Sequence, residues 1–208
     1  MKTYRIYINN NALIISKQLP VMNVPVQEVP VKGFNFLNFY AQLDLAGNKH
    51  YVLITDDTKA VFKQLKSSCT LVKAAGGLVK NAKDGYLFIY RNKKWDLPKG
   101  KVEKGEGMRE AGWREVEEEC GVKVWKSGKK LCRTYHIYVL GNKLALKKTN
   151  WYAMSVKGIP VLIPQREEGI TKAEWLSADQ VSAVLENTYP SIMDVMEAGN
   201  LTTDRLLQ

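Results

Sequence analysis

Residues 100–122 of this chain read GKVEKGEGMREAGWREVEEECGV. The segment between Gly107 and Gly121 is rich in helix-forming residues and has glycine at both borders. We predict a helix over residues 108–120 that ends at Gly121 in a left-handed cap. One face of the predicted helix is acidic.

Three glutamates make up the acidic face. Placed at 100° per residue, Glu115, Glu118 and Glu119 span an arc of roughly 100°. The apolar residues fall on a separate arc and are Trp113, Val116 and Cys120. One face of the helix is therefore predicted to pack against a core, and the other is predicted to gather carboxylates.

The three carboxylates repel one another, and like charges at helical spacing destabilise a helix by roughly 0.2–0.5 kcal/mol per pair. They also lie toward the C-terminal end of the helix, where the helix dipole disfavours negative charge. A hard divalent cation would offset this repulsion, because Mg²⁺ and Mn²⁺ bind carboxylate oxygens. The alternative is a solvated acidic face that binds no ligand.

The acidic helix belongs to a longer pattern, Gly-x5-Glu-x7-Arg-Glu-U-x-Glu-Glu-x-Gly-U, in which U is aliphatic. The positions that match are Gly100, Glu106, Arg114, Glu115, Val116, Glu118, Glu119, Gly121 and Val122. On these residues the chain resembles the Nudix hydrolases, and the resemblance covers roughly residues 70–190. It implies an α/β fold, the Nudix α/β/α sandwich with a mixed sheet, over residues 70–208. A small accessory α/β domain is expected over residues 1–69.

The resemblance also implies roles for individual residues. Glu115, Glu118 and Glu119 would be ligands of Mg²⁺, with Mn²⁺ as a substitute, and a backbone carbonyl near Lys99 or Gly100 could be a further ligand. The residues expected in catalysis are Glu115, Glu118, Arg114, Glu168 and Glu167. Glu106 and Gly100 are expected to contact the metal ligands without binding the metal themselves. Arg114 is expected to orient a glutamate by a charge-assisted hydrogen bond.

The general base is the least determined of these roles. In various members of the family it is a glutamate of the helix or one in a later loop. Glu167 and Glu168 lie in such a loop, in the sequence QREEGI over residues 165–170. Either is a candidate for the base. The alternative is that both are exposed loop acids without a catalytic role.

The residues just before the helix bear on the substrate. Residues 95–106 read WDLPKGKVEKGE, and the Leu-Pro-Lys-Gly opening is similar to that of dinucleoside polyphosphate and diphosphoinositol polyphosphate hydrolases. Lys99, Lys101 and Lys104 would suit a long polyphosphate, although they could also be solvated loop residues. The aromatic residues Trp95, Tyr135, Trp151 and Tyr152 could stack on a base, but aromatics in strands more often belong to a core.

The expected function is divalent-metal-dependent hydrolysis of a pyrophosphate bond in a nucleoside diphosphate linked to another moiety. A dinucleoside polyphosphate or a related nucleotide is the favoured substrate. Two alternatives stay open, a pyrophosphohydrolase of RNA 5′ ends and a non-catalytic nucleotide-sensing regulator. The N-terminal domain could be a nucleic-acid platform, a dimerisation element or a lid, so a homodimer is one option.

Charge and composition are consistent with a phosphorylated partner. The 208 residues include 31 Lys+Arg and 21 Asp+Glu, a net charge of +10, and this excess favours a polyanion. No run of 18 apolar residues or signal peptide is present, so we expect a cytoplasmic protein without a membrane partner. Cys69, Cys120 and Cys132 form no metal-binding pattern and are expected to be reduced thiols.

The remaining elements follow from local patterns. In the N-terminal part, the sequence predicts a hairpin from residues 4–7 and 12–15, an extended segment over 20–31, a helix over 34–45, a strand over 50–55 and a helix from Asp56 or Asp57 to Lys66. In the C-terminal part, it predicts strands over 71–75, 85–90, 134–140 and 150–156, a helix opened by Ser177 that reaches Glu186, and a last helix to Ala198.

Overall fold

The computed structural model describes residues 2–22 and 24–201 of the chain. Within these residues, the chain forms two compact units. The first contains the described residues up to Val72 together with Tyr135–Lys148, and the second contains Lys73–Thr134 and residues 149–201. Residues 135–148 therefore group with the N-terminal unit. The predicted division at residue 70 assigns them to the C-terminal domain.

The secondary structure alternates strands and helices. The strands are β1 (Tyr4–Ile8), β2 (Asn11–Ser16), β3 (Val26–Glu28), β4 (His50–Ile54), β5 (Thr70–Lys80), β6 (Tyr86–Arg91), β7 (Lys94–Asp96), β8 (Lys99–Lys101), β9 (Val124–Leu140), β10 (Lys143–Val156) and β11 (Ile170–Leu176). The helices are α1 (Phe36–Ala41), α2 (Thr58–Ser67), α3 (Met108–Cys120), α4 (Val181–Glu186) and α5 (Pro190–Ala198), with a 3₁₀ turn at Arg166–Glu168.

The first unit is a mixed sheet with helices packed on it. Strands β1 and β2 form an antiparallel hairpin with Tyr4 opposite Ile15. Strand β2 pairs in parallel with β4, which pairs in parallel with β3 at the edge. On its other side, β1 pairs in parallel with the part of β9 that belongs to this unit, with Ile6 opposite Tyr135. Phe36 of α1 and Leu65 of α2 are buried in the core of this unit.

The second unit has helices on both faces of its sheet. The strand order is β11-β6-β5-β10-β9, with β7 paired to β6 and β8 paired to β5. Along β6 the side chains alternate between two cores, since Leu87 and Ile89 lie in one and Phe88 in the other. Helix α3 contributes to the first core, whereas α4 and α5 contribute to the second. The unit is therefore the α/β/α sandwich with a mixed sheet that the sequence predicts.

Several predicted elements are confirmed. The acidic helix runs over Met108–Cys120, and Gly121 follows it with a φ of 67°. The N-terminal hairpin is present, and the Asp57 carboxylate accepts the Ala60 N–H at 2.9 Å to cap α2. The last helix begins at Pro190 and ends at Ala198.

Other boundaries differ from the predictions. The predicted helix over residues 34–45 is only Phe36–Ala41. Strand β5 continues through Gly76 and Gly77 to Lys80, and β9 begins at Val124, ten residues before its predicted start at Thr134. The Ser177 N–H donates to the Gln180 side chain as in a capping box, but α4 begins only at Val181. Strands β7, β8 and β11 were not predicted.

None of the helices in the described part of the chain combines the length and the apolar character that a membrane crossing requires.

Two glycines, Gly76 and Gly77, interrupt the apolar pattern of β5, because neighbouring atoms lie too close to leave room for a side chain. Gly76 lies opposite Lys99 in the pairing of β5 with β8. A Cβ atom at Gly76 would overlap Cβ of Lys99 and the Pro98 carbonyl oxygen, and it would lie 2.9 Å from the ring of Trp151. Only glycine at position 76 therefore allows β8 to lie against β5 at this point. Strand β8 leads into the loop before α3.

We predict that Gly76→Ala destabilises the protein by about 2 kcal/mol, because the added methyl group meets backbone that is held by strand pairing. Urea unfolding followed by circular dichroism measures the change. Gly128→Ala is the matched control, since its nearest neighbour would be an ordinary contact at 3.4 Å. A Gly76→Ala variant as stable as the Gly128→Ala variant would contradict this account of β5.

Candidate active site

The acidic face of α3 lies next to β8 and the 3₁₀ turn in the second unit. Helix α3 is held against the sheet by Ala111, Val116 and Cys120, which are buried in the core. At its N-terminus, the Gly107 N–H donates to the Glu110 carboxylate at 3.0 Å. These contacts fix the rotation of the helix, and they therefore fix where its glutamates lie.

Arg114 is the central cation of the site. Its Nε and Nη2 atoms donate to the two carboxylate oxygens of Glu106 at 2.8 and 3.0 Å. Its Nη1 donates to Glu115 at 3.0 Å and to Glu118 at 2.8 Å. The hydrogen bond from Arg114 holds the pKa of Glu106 below its usual value. One guanidinium thus offsets the repulsion among three carboxylates.

Glu115 occupies a space that only a glycine at position 100 leaves open. A Cβ atom at Gly100 would overlap the Glu115 carboxylate. Burial raises the pKa of Glu115, the Arg114 charge opposes this, and the negative charges of Glu118 and Glu168 add to the increase. Glu168 therefore lies within electrostatic range of Glu115, although the two residues are far apart in sequence.

Glu119 is almost completely buried, with 2% of its side chain exposed. It accepts the backbone N–H of Lys99 at 2.8 Å, and Nη1 of Arg91 lies 3.8 Å from its other oxygen. Burial raises the pKa of Glu119 to about 7, against the lowering effect of Lys99. This carboxylate is thus the least solvated of the acidic cluster Glu115, Glu118 and Glu119.

The loop that follows β10 is tied to the end of α3. The Ile163 N–H donates to the Cys120 carbonyl at 2.9 Å, and the Gln165 N–H donates to the Glu119 carbonyl at 3.0 Å. The 3₁₀ turn comes directly after these bonds, and Glu168 lies 3.4 Å from Nη2 of Arg91. Of the two loop acids, Glu168 lies in range of the acidic cluster, and Glu167 is an exposed neighbour in the same turn.

The donor chemistry of the cluster fits a hard divalent cation, because all its side-chain donors are carboxylate oxygens. As placed, no three His, Cys, Asp or Glu side chains of the described residues converge closely enough to hold a metal ion. Arg114 explains this arrangement, since its Nη1 lies between Glu115 and Glu118 and takes an oxygen from each. A cation bound through these two oxygens would displace Arg114, whereas the second oxygen of each carboxylate is not bonded to Arg114.

The predicted lysines fall into two groups. Lys99 is largely buried, and its ammonium lies 2.8 Å from the Asp96 carboxylate, so its charge is already paired. Burial alone would lower the pKa of Lys99, but the nearby carboxylates of Asp96 and Glu119 outweigh it and the pKa is raised. Lys101 and Lys104 are exposed on the loop before α3.

The predicted aromatic residues lie mainly in cores. Tyr135, Trp151 and Tyr152 are each less than 10% exposed, which agrees with the core interpretation. Trp95 is half-buried, and its ring meets that of Tyr90 edge-on with centroids 5.2 Å apart.

Two charged residues of the site were missed by sequence reasoning. Arg91 ends β6, and Asp96 ends β7. The signal for Arg91 was a cation that follows the apolar run of residues 87–89, and the signal for Asp96 was its spacing of three residues from Lys99. Neither signal is distinctive without knowledge of which strands are neighbours.

We predict that Arg114→Ala destabilises the protein by about 2 kcal/mol, because it leaves three neighbouring carboxylates without their shared cation. Thermal or urea unfolding in the presence of a chelator measures the loss. Lys123→Ala is the control, since its exposed ammonium pairs with Glu117 of the same helix and such pairs contribute less than about 1 kcal/mol. Equal losses for both variants would contradict the central role of Arg114.

Comparison with known proteins gives a family match and several similar structures. The family model described as NUDIX domain matches residues 70–197. The crystal structure of the MutT protein from Methanosarcina mazei Go1 is similar, with 21% identity and a TM-score of 0.50 over 64% of this chain and 94% of that one. The Ap4A hydrolase of C. elegans, in a binary complex, is 17% identical with a TM-score of 0.49 over 62% of this chain and 95% of that one.

The likeness to the Methanosarcina mazei protein is one of fold. The family model matches more than half of the 208 residues and includes the complete pattern from Gly100 to Val122. On this ground the chain belongs to the NUDIX domain family and is a Nudix hydrolase.

Proposed function

We propose that this protein hydrolyses a pyrophosphate bond in a nucleoside diphosphate linked to another moiety, with dinucleoside polyphosphates as the favoured class. The observation that carries the proposal is a set of four carboxylates linked by two arginines, since Arg114 bonds Glu115 and Glu118 and Arg91 lies between Glu119 and Glu168. Glu115, Glu118 and Glu119 come from α3, and Glu168 comes from the 3₁₀ turn. A site of this kind would serve a reaction between a polyanion and water.

The acidic cluster would hold the divalent cation, with Glu115, Glu118 and Glu119 as ligands and Mg²⁺ or Mn²⁺ as the ion. The bound cation would neutralise the non-bridging phosphate oxygens that otherwise repel a nucleophile. Arg114 would keep its two hydrogen bonds to Glu106 and would orient the metal ligands without binding the metal itself.

Glu168 is the favoured general base, and Glu167 is the second candidate. A water molecule would attack phosphorus and give its proton to the Glu168 carboxylate, while the bridging P–O bond breaks and its electron pair leaves with the departing phosphate. Glu168 is favoured because it is the loop acid within electrostatic range of Glu115.

Substrate binding would depend on the exposed lysines of the loop before α3. Lys101 and Lys104 are exposed on the loop before α3, where they would attract the phosphates of a long polyanion. Lys99 is already paired with Asp96, so we assign it to the support of the loop. The net charge of +10 would add long-range attraction to the same substrate.

A reducing compartment such as the cytoplasm suits the cysteines. Cys69, Cys120 and Cys132 are all free thiols. Burial raises the pKa of Cys69 to about 11 and that of Cys132 to about 12, so these thiols stay protonated and unreactive at neutral pH.

We predict turnover of dinucleoside polyphosphates in a panel that also contains nucleotide sugars, ADP-ribose, nucleoside triphosphates, diphosphoinositol polyphosphates and 5′-triphosphorylated RNA. Product analysis with Mg²⁺ and with Mn²⁺ identifies the bond that is cleaved. Glu168→Gln is expected to lower kcat by about 100-fold or more, because it removes the proton acceptor.

Glu103→Gln is the control for this experiment, since Glu103 is an exposed acid of the loop before α3, outside the 3₁₀ turn, and is expected to keep full activity. Preferential cleavage of the RNA would replace the favoured substrate class with RNA 5′ ends. If no member of the panel is hydrolysed by the folded protein, the enzymatic proposal fails and a nucleotide-sensing role takes its place.

We also predict that Mg²⁺ stabilises the protein against heat. At a Mg²⁺ concentration about 100 times the Kd, the gain would be about 2.7 kcal/mol. Glu118→Gln and Glu119→Gln are expected to abolish the increase in Tm while the variants stay folded, whereas Glu103→Gln is expected to keep it. Differential scanning calorimetry with and without a chelator makes the comparison. A full Tm increase in both ligand variants would show that the metal assignment is wrong.

A further inference from the structure

Arg91 lies where two separate parts of the site meet. It is the last residue of β6, and Ile170 at the start of β11 is paired directly with it. A register shift follows between Ile170 and Lys172. The pairing places the residues just before Ile170 alongside Arg91, so the sheet itself brings the 3₁₀ turn to the guanidinium.

The guanidinium of Arg91 spans two carboxylates from different elements. Its Nη2 lies 3.4 Å from Oε2 of Glu168 in the 3₁₀ turn, and its Nη1 lies 3.8 Å from Oε1 of Glu119 on α3. About 30% of the Arg91 side chain is exposed, compared with 2% for Glu119 and 53% for Glu168. The planar fork of arginine suits this bridge, because its two terminal nitrogens can serve two acids at once.

The electrostatic balance shows why such a bridge is needed. Glu168 adds to the negative potential at Glu115, so it is repelled by the acidic cluster. Its side chain is half-exposed, and solvent offers an alternative position at little cost. A positive charge next to the acidic cluster is required to keep the Glu168 carboxylate in place, and Arg91 supplies it in the described structure.

We propose that Arg91 is a positioning residue for hydrolysis, which holds the Glu168 carboxylate beside the acidic cluster by bridging it to Glu119. The inference rests on the proposed function, in which Glu168 is the general base. It assigns Arg91 no contact with substrate and no share in proton transfer.

The test combines kinetics with a measurement that does not depend on activity. We expect Arg91→Gln to lower kcat by about 10- to 100-fold with KM changed less than about 2-fold, the size of loss typical for residues that orient a site. Arg91→Lys is expected to restore part of the loss, because an ammonium can still pair with Glu168. Arg166→Gln, which changes a cation in the same turn, is the control and is expected to match the unmodified protein.

A double-mutant cycle separates positioning from substrate binding. If Arg91 acts through Glu168, the double variant Arg91→Gln/Glu168→Gln will have the same kcat as Glu168→Gln alone. A loss in the double variant as large as the loss caused by Arg91→Gln in the unmodified protein would overturn the inference. So would an increase in KM with kcat unchanged, because that result would make Arg91 a ligand of the substrate.

Hydrogen exchange tests the same contact without a substrate. Arg91→Gln is expected to speed amide exchange over residues 166–169 in the full chain, whereas Arg166→Gln is not. The increase in Tm with Mg²⁺ is expected to persist in Arg91→Gln, which shows that the fold and the metal ligands are intact. An unchanged exchange rate in Arg91→Gln, with turnover in the unmodified protein, overturns the inference alone. An absence of turnover in the unmodified protein overturns the proposed function on which the inference rests.

Discussion

The guanidinium of Arg114 donates to three carboxylates that would otherwise repel one another on and beside a single helix. Two of these bonds go to Glu106, so the cation is anchored in the loop before α3 and its remaining nitrogen faces the helix. This arrangement lets the chain keep Glu115 and Glu118 together in the absence of a metal ion. A metal ion bound through those same oxygens would have to compete with this internal cation, so the proposed metal affinity would depend partly on the anchor at Glu106.

The sheet contributes the second constraint, since it decides which distant residues join the helix. Strand β8 lies against β5 because Gly76 has no side chain, and this contact brings the Lys99 N–H to the buried carboxylate of Glu119. Pairing of β11 with β6 places Glu168 beside Arg91, which also lies near Glu119. The surroundings of the acidic cluster are thus set by backbone register, and they depend on strands that contain none of the three glutamates.

The helix and its cap could be predicted from the sequence because their determinants are local. Glycines border the segment, and Val116 and Cys120 recur at helical spacing. The extent of β5 and β9 could not be predicted, since Gly76 and Gly77 resemble a turn and the lysines between residues 126 and 130 resemble a loop. Their strand character comes from pairing partners far away in sequence, and local propensity contains no information about those partners.

The same distinction applies within the site. The glutamates of α3 were identifiable because one helix sets their spacing, and the pattern around them is long. Arg91 was not identifiable, because its importance depends on the neighbour that β11 gives to β6. The sequence likewise leaves the choice between Glu167 and Glu168 open, and our preference for Glu168 rests on its ion pair with Arg91 and its electrostatic effect on Glu115.

The hairpin formed by β9 and β10 is divided between the two compact units. Its outer part, Tyr135–Lys148, supplies Tyr135, Ile137 and Leu146 to the core of the N-terminal unit, while its base belongs to the unit that carries the acidic cluster. Family membership extends through the whole hairpin, because the match runs over residues 70–197. The border of the family match and the border between the compact units therefore fall at different places in the chain. A cut at residue 70 would therefore separate the N-terminal unit from Tyr135, Ile137 and Leu146, three residues of its own core.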